Sequence, residues 1–215
     1  MTRAAISWSG GKDSLAALSA SRRDLDIVAA LTMFDETGQR SRSHGLRPEL
    51  IAAQAASLGL RPVSARCSWS TYDESFTAAL RALARDGITH VVFGDLVFPA
   101  HREWAEARCA AAGLTAVEPL FGQPTADLFD AFVASGATAL IVTVREPWLD
   151  ETWLGRPLAA EMKASFAARG VDSCGENGEY HTAVVDGPLF TRPIRVAPGE
   201  RVRRGDCVAL DLIPC

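Results

Sequence analysis

The stretch Ala4-Ala5-Ile6-Ser7-Trp8-Ser9-Gly10-Gly11-Lys12-Asp13-Ser14-Leu15-Ala16-Ala17-Leu18 runs from a short apolar segment, through two glycines, into a helical pattern. That order is strand, tight turn, helix N-terminus. Gly10 and Gly11 let the backbone turn sharply and leave no Cβ to block a close ligand. The first N–H groups of the helix lack intrahelical partners, and the helix dipole adds partial positive charge there. A phosphate group satisfies both, so the turn is a candidate phosphate cradle. It is not a Walker A loop: Ile6 stands where the leading glycine belongs, and Asp13 where the Ser or Thr after the lysine belongs. The dinucleotide fingerprint G-x-G-x-x-G is also absent. The bland alternative is an ordinary strand–turn–helix corner.

Outward from this turn, helical patterns alternate with short apolar runs. The first strand covers about 3–8 and the first helix 12–22. Ile27–Met33 is an unbroken apolar run, as in a strand buried on both faces of a parallel sheet. A polar loop, Asp35–Arg47, follows; a loop this long is usually functional or disordered. Pro48 opens a helix over 48–58, and Leu60–Ala65 is a third strand. Thr71 and Glu74 form a capping box before Phe76, Leu80 and Leu83 at helical spacing. Thr89–Asp95 is a fourth strand with a Gly-Asp end, a helix spans 102–112, and Leu114–Val117 is a fifth strand. Glycines 59, 87, 113, 136 and 170 each follow a helical pattern and precede an extended run, the C′ position of a helix. This repetition predicts an α/β fold with a mostly parallel sheet. Ligands of such sheets bind beyond the carboxyl ends of the strands. Chain order therefore puts the glycine turn, the Asp35–Arg47 loop and Gly94-Asp95 on one rim. After Pro119-Leu120-Phe121-Gly122 the pattern changes: a helix at 125–135, a strand at 139–144, a helix near 158–169 and short strands such as 207–212. This tail reads as a smaller α+β portion, giving domains of 1–122 and 123–215.

The chain has 215 residues with 48% apolar content, enough for a real core. No apolar run approaches the ~20 residues of a membrane helix, and the N-terminus enters a strand without a signal peptide. These features predict a soluble, cytoplasmic protein with no membrane partner. The formal net charge of −4 argues against non-specific nucleic-acid binding. Cys67, Cys109, Cys174, Cys207 and Cys215 contain no C-x-x-C pair, so neither a zinc knuckle nor a redox couple is indicated. Reduced thiols are expected, with Cys67 and Cys109 as small buried residues.

The second informative stretch is Cys174-Gly175-Glu176-Asn177-Gly178-Glu179-Tyr180-His181-Thr182. No apolar period explains two glycines, two acids, a tyrosine and a histidine in nine residues. Its bland reading is a polar turn into the strand at Ala183. Ser9-Gly10-Gly11-Lys12-Asp13-Ser14 resembles the SGGxDS loop of the ATP pyrophosphatases, in the adenine nucleotide alpha hydrolase-like superfamily. Together with Gly94-Asp95, Pro119-Leu120-Phe121 and the motif at 175–182, the chain resembles the diphthine–ammonia ligase family over nearly its whole length. The last motif is the more specific. The short, Ala- and Arg-rich chain looks like the bacterial branch, in which diphthine is not expected.

The resemblance implies a Rossmann-like, adenine nucleotide alpha hydrolase-like domain with a smaller C-terminal domain, and ATP with Mg²⁺. It implies that a carboxylate attacks the α-phosphorus, releasing pyrophosphate, and that ammonia or an amine then displaces AMP. Ser7, Ser9, Gly10, Gly11, Lys12, Asp13 and Ser14 would hold the nucleotide, with Thr32, Met33, His44, Gly94 and Asp95. Lys12 is either a charge on the phosphates or a solvated surface lysine. Asp13 and Asp95 are the metal candidates; a helix cap is the alternative for Asp95, and a solvated loop residue for His44. Arg102, Gly178, Tyr180, His181 and Thr182 are the substrate-binding candidates, Arg102 otherwise a surface arginine. Asp13, Glu176 and Glu179 are the catalytic candidates, Glu179 as the group that orients the amine or takes its proton, with Glu176, Tyr180 and Thr182 ordering the pocket. The partners implied are ATP, an unidentified carboxylate, and ammonia or an amine, with a homodimer as a candidate assembly. Two other classes remain open: an adenylating sulfur transferase or RNA-modifying pyrophosphatase, and a nucleotide sensor without turnover. Thr2 stands where an N-terminal-nucleophile glutaminase needs a cysteine, so free ammonia or an amine is the expected nitrogen source.

Overall fold

The computed structural model describes every residue, Met1–Cys215. Strands β1 (Thr2–Ser7), β2 (Leu25–Phe34), β3 (Arg61–Arg66), β4 (His90–Val92) and β5 (Thr115–Val117) form one sheet, parallel throughout, in the order β3-β2-β1-β4-β5. Helices α1 (Lys12–Ser21), α2 (Pro48–Ser57), α3 (Tyr72–Arg85) and α4 (Pro99–Ala110) connect them. Side chains on the central strands alternate between two apolar layers. Ala5, Leu31, Met33 and Val91 pack with Phe76, Leu80 and Leu83 of α3 and Ala105 and Cys109 of α4. Ala4, Ile6, Ala30 and Val92 face the other way, toward Leu15 and Leu18 of α1 and Leu50 and Ile51 of α2. Both faces of β2 are thus covered, as its unbroken apolar run requires.

The second half holds α5 (Thr125–Ala134), β6 (Thr138–Arg145), a 3₁₀ turn (Glu151–Trp153), α6 (Met162–Ala168), β7 (Tyr180–Asp186), β8 (Val196–Arg204) and β9 (Cys207–Pro214). Its four strands are antiparallel in the order β7-β6-β9-β8. Their buried residues, among them Ile141, Val144, Tyr180 and Val184, join the same apolar layer as Ala4, Ile6 and Trp8. The two sheets share a continuous core. No helix is long and apolar enough to cross a membrane.

Glycines 59, 87, 113, 136 and 170 all have positive φ, so each helix ends on the left-handed residue its sequence supplies. Three local expectations change. The fourth strand stops at Val92: Phe93 keeps one bond to the Val117 carbonyl of β5, and Gly94 then lies against the first turn of α1. The helix expected over 158–169 shortens to α6. The capping box does not form: the Thr71 hydroxyl accepts from the Ser68 N–H at 3.0 Å instead, inside a turn of its own, and makes no bond to the helix end.

The Asp35–Arg47 loop is well anchored. Its Arg40 and Arg47 both pair with Asp211 of β9. The two guanidinium groups, Arg47 first, hold the Asp211 carboxyl down at about 2. This clamp ties the first sheet's longest loop to the second sheet.

Candidate functional site

The turn after β1 is built against the second sheet. Gly10 has φ +85°, and its carbonyl accepts from the Val184 N–H of β7 at 2.9 Å and from Gln54 Nε2 at 3.0 Å. Gln54 is itself fixed by donating to the Val184 carbonyl and accepting from Trp8 Nε1. No residue of the turn caps α1. The Thr182 hydroxyl, 170 residues away, accepts from the Lys12 N–H at 3.0 Å. The Gly11 N–H is taken by Ser9 Oγ, while those of Asp13 and Ser14 have no protein acceptor. Gly10 and Gly11 do not line the cavity. A Cβ on Gly11 would sit 2.3 Å from His44 Cε1, and one on Gly10 2.6 Å from Leu46 Cδ1. Close approach of the protein, not of a ligand, explains both glycines. Gly94 has the same cause: its Cβ would lie 2.9 Å from the Asp13 carbonyl carbon.

Lys12 is buried, which removes the solvated-lysine alternative. Its ammonium donates to Asp13 Oδ2 at 2.8 Å and to the Cys174 carbonyl, and lies 5.3 Å from the Tyr180 ring centre. Burial is the largest single influence and works against the charge, but Asp13 together with Tyr180 and Cys174 outweighs it, and the lysine stays protonated.

The Cys174–Thr182 loop is organised by Glu179. This carboxylate is buried and accepts from the Asp172 N–H, the Asn177 N–H and Asn177 Nδ2 at 2.9, 2.9 and 3.0 Å. It does not line the cavity, which corrects the expectation that it meets the amine. Glu176 is the acid left free. It lines the cavity, and burial with Asp13 opposite pushes its carboxyl up to about 7. Cys174 turns its thiol to the Thr125 carbonyl, and burial pushes it up to about 12.

Two connected chambers hold most of the expected residues. One, of about 280 Å³, lies between the sheets and is lined by Lys12, Asp13, Gly94, Asp95 and Glu176, with Gly178, Tyr180, His181 and Thr182 from the last motif. The other, of about 510 Å³, opens beyond it, with Ser7, Ser9, Asp13 and Ser14 on one side and Leu31, Met33, Phe93 and Tyr72 on the other. His44, Ser43, Asp95 and His101 border both. Thr32 points away, donating to the Trp8 carbonyl at 2.7 Å. Arg102 is outside both chambers, paired with Glu106 and lying over Phe121. The sequence reading missed the aromatic wall of Trp69, Tyr72 and Trp104, and missed His101, whose Nδ1 lies 3.3 Å from Asp95 Oδ1. The aromatic spacing around α3 was visible but reads equally as core.

His44 and His181 stack with ring centres 4.7 Å apart. Burial lowers them to about 4 and about 3, so both are neutral. His44 Nδ1 lies 2.8 Å from the Thr182 carbonyl, which can only accept, so Nδ1 carries the proton and Nε2 a lone pair. Asp95 is raised by burial and by Asp13, against the pull of His101. Asp13 and Asp95 suit a cation shared with phosphate oxygens: no cluster of three metal-binding side chains is preformed, and Mg²⁺ is usually held by one or two carboxylates plus substrate phosphates.

A parallel sheet with a glycine turn after its first strand, closed by an antiparallel sheet whose leading loop brings Glu176 to the same space, defines a two-sheet α/β protein. The chain belongs to the diphthamide synthase family: residues 2–116 match the diphthamide synthase N-terminal domain and residues 125–211 the C-terminal domain. It is similar to diphthine–ammonia ligase of Bos taurus, 26% identical over 148 residues, 66% of this chain and 54% of that one. Against the Schizosaccharomyces pombe protein of the same name it is 31% identical over 113 residues, 51% of this chain and 18% of that one. The chain thus spans about half the length of the mammalian relatives it matches. A solved structure described as a predicted subunit of tRNA methyltransferase from Methanocaldococcus jannaschii superposes with a TM-score of 0.46 at 14% identity, over 87% of this chain and 98% of that one.

Proposed function

We propose that the chain is an ATP-dependent amide ligase, cleaving ATP to AMP and pyrophosphate and joining ammonia or an amine to a carboxylate. The observation that carries this reading is a pair of adjoining chambers that share Asp13 and Asp95, bounded by two loops: the turn at 9–14, with free N–H groups at Asp13 and Ser14, and the loop bearing Glu176. In this reading the serine hydroxyls and free N–H groups hold phosphate, and Lys12 offsets its charge. The apolar and aromatic side of the larger chamber takes the adenine. Asp13 and Asp95 would hold Mg²⁺, which supplies charge neutralisation on the phosphates. Glu176, titrating at about 7, takes the proton of the incoming amine, a role that suits a group near the working pH. Glu179 positions Glu176 by ordering the loop. The chemistry balances: the carboxylate displaces pyrophosphate from the α-phosphorus, the amine displaces AMP, and the amine's proton leaves through Glu176. Sulfur transfer lacks support, because the one cysteine at the cavity directs its thiol elsewhere.

The test is product analysis with α-labelled ATP, Mg²⁺, ammonium and a pool of carboxylates. AMP with pyrophosphate, dependent on Mg²⁺ and accompanied by a new amide, is expected. ADP as the main product overturns the reading.

A further inference from the structure

A third cavity, of about 330 Å³, lies on the far side of the His44–His181 pair, between the Asp35–Arg47 loop and the β8–β9 hairpin. Its size is that of a small-molecule pocket, roughly 300 Å³ or more. Ser43, His44 and His181 line both this groove and the chamber between the sheets; Ser43, His44 and Trp69 line both it and the larger chamber. Whatever fills the groove therefore lies one wall away from the phosphate turn.

The groove is more basic than a protein of net charge −4 leads one to expect. Arg40, Arg42 and Arg204 line it. Asp211 is shared by two arginines, so it neutralises only one of them. The Asp35 carboxylate is held by the Thr37 hydroxyl and the Gln39 N–H of its own loop and keeps its charge, so the lining sets three arginines against two carboxylates and stays net positive. Arg42 donates to the Cys67 carbonyl, and its only acid partner, Glu36, is on the exposed rim. Arg204 forms no salt bridge with any acid. Both histidines are neutral and do not cancel an anion's attraction. At the mouth, Trp69 is 71% exposed, with the Arg42 guanidinium 5.0 Å from its ring centre. An exposed tryptophan backed by an arginine is a frequent anchor for ligands.

We propose that this groove binds the tail of the carboxylate substrate, and that the substrate is a small free acid carrying a second anionic group: one carboxylate faces the nucleotide past His44, the other meets Arg204 and Arg40. The identification of the reacting end rests on the ligase reading; the anion site does not.

The test is calorimetric titration of the intact chain with glutarate and with its neutral diamide, glutaramide, with and without saturating ATP. Arg204→Glu is the variant, because Arg204 is exposed and its exchange leaves the core alone; Arg42→Gln is the second. Expected are glutarate binding that persists with ATP bound, no glutaramide binding, and at least tenfold weaker glutarate binding by Arg204→Glu with ATP affinity unchanged. No glutarate binding, equal binding of glutaramide, equal binding by both variants, or displacement by ATP each overturns the proposal. No turnover is measured, so absence of AMP in the product assay sinks the ligase reading without touching this one.

Discussion

The two loops that face each other across the inter-sheet chamber are held in opposite ways. Residues 9–14 are held from outside, by Val184, Gln54 and Thr182. Their own polar side chains stay at the cavity or bond to one another, apart from Lys12, which also reaches the Cys174 carbonyl. Residues 174–182 are held from inside, by a carboxylate of the loop itself. In the first loop the anchors are remote and the motif is left for a ligand. In the second, one acid is used by the fold and its neighbour three residues earlier is free. Acids within one motif therefore do different jobs, and substitutions should separate them.

The largest effect is expected at Glu179. Glu179→Ala removes the buried carboxylate that gathers three loop donors, one on half-buried Asp172 and two on exposed Asn177, a loss of about 2 kcal/mol readable as a shifted urea midpoint, and AMP formation should fall below detection. An unchanged midpoint would mean that the loop is held by something else. Next is Glu176→Gln, which should keep the fold and ATP affinity but slow AMP release roughly 10²-fold. The carboxyl must lose its proton to act as a base, so the parent's rate should climb as pH passes about 7, and that climb should flatten in the variant. Stability gives an independent reading. A carboxyl raised from 4.5 to about 7 holds its proton longer in the native state than in the unfolded chain. Its contribution is full below 4.5 and is lost as pH rises through about 7. Glu176→Gln should therefore lose less stability across that window, measured by thermal melts. The smallest effect is at Thr182. Thr182→Val keeps the shape but removes the remote cap of α1, costing about 1 kcal/mol. If thermal melts show it to be silent, the turn does not depend on the second sheet and the contrast between the loops fails.

The parallel sheet was legible because its signals are local: Gly87 or Gly113 ends a helix by its own φ, and Ile27–Met33 is apolar whatever lies nearby. The strand–turn–helix corner at residues 7–14 was legible for the same reason. The division of labour between Glu176 and Glu179 was not, because it depends on where the Asp172 and Asn177 N–H groups point. Gly10 turns the chain as expected, at φ +85°, but the space both glycines leave is filled by Leu46 and His44 rather than open to a ligand, and those side chains come from more than 30 residues away. Thr71 shows the reverse failure. Its capping signature was present, but Ser68 lay three residues upstream and took the hydroxyl.

The remote anchoring of the turn has a consequence for how the protein is made. Ser9 to Ser14 are made about 170 residues before their anchors Thr182 and Val184. Chains emerge at roughly 5–20 residues per second. The turn therefore passes roughly ten seconds with Gln54 of α2 alone among its three anchors before β7 arrives to seat it. A ribosome-bound chain truncated before residue 180 should accordingly carry a formed first sheet but a turn not yet seated against β7, which limited proteolysis of the stalled chain would show.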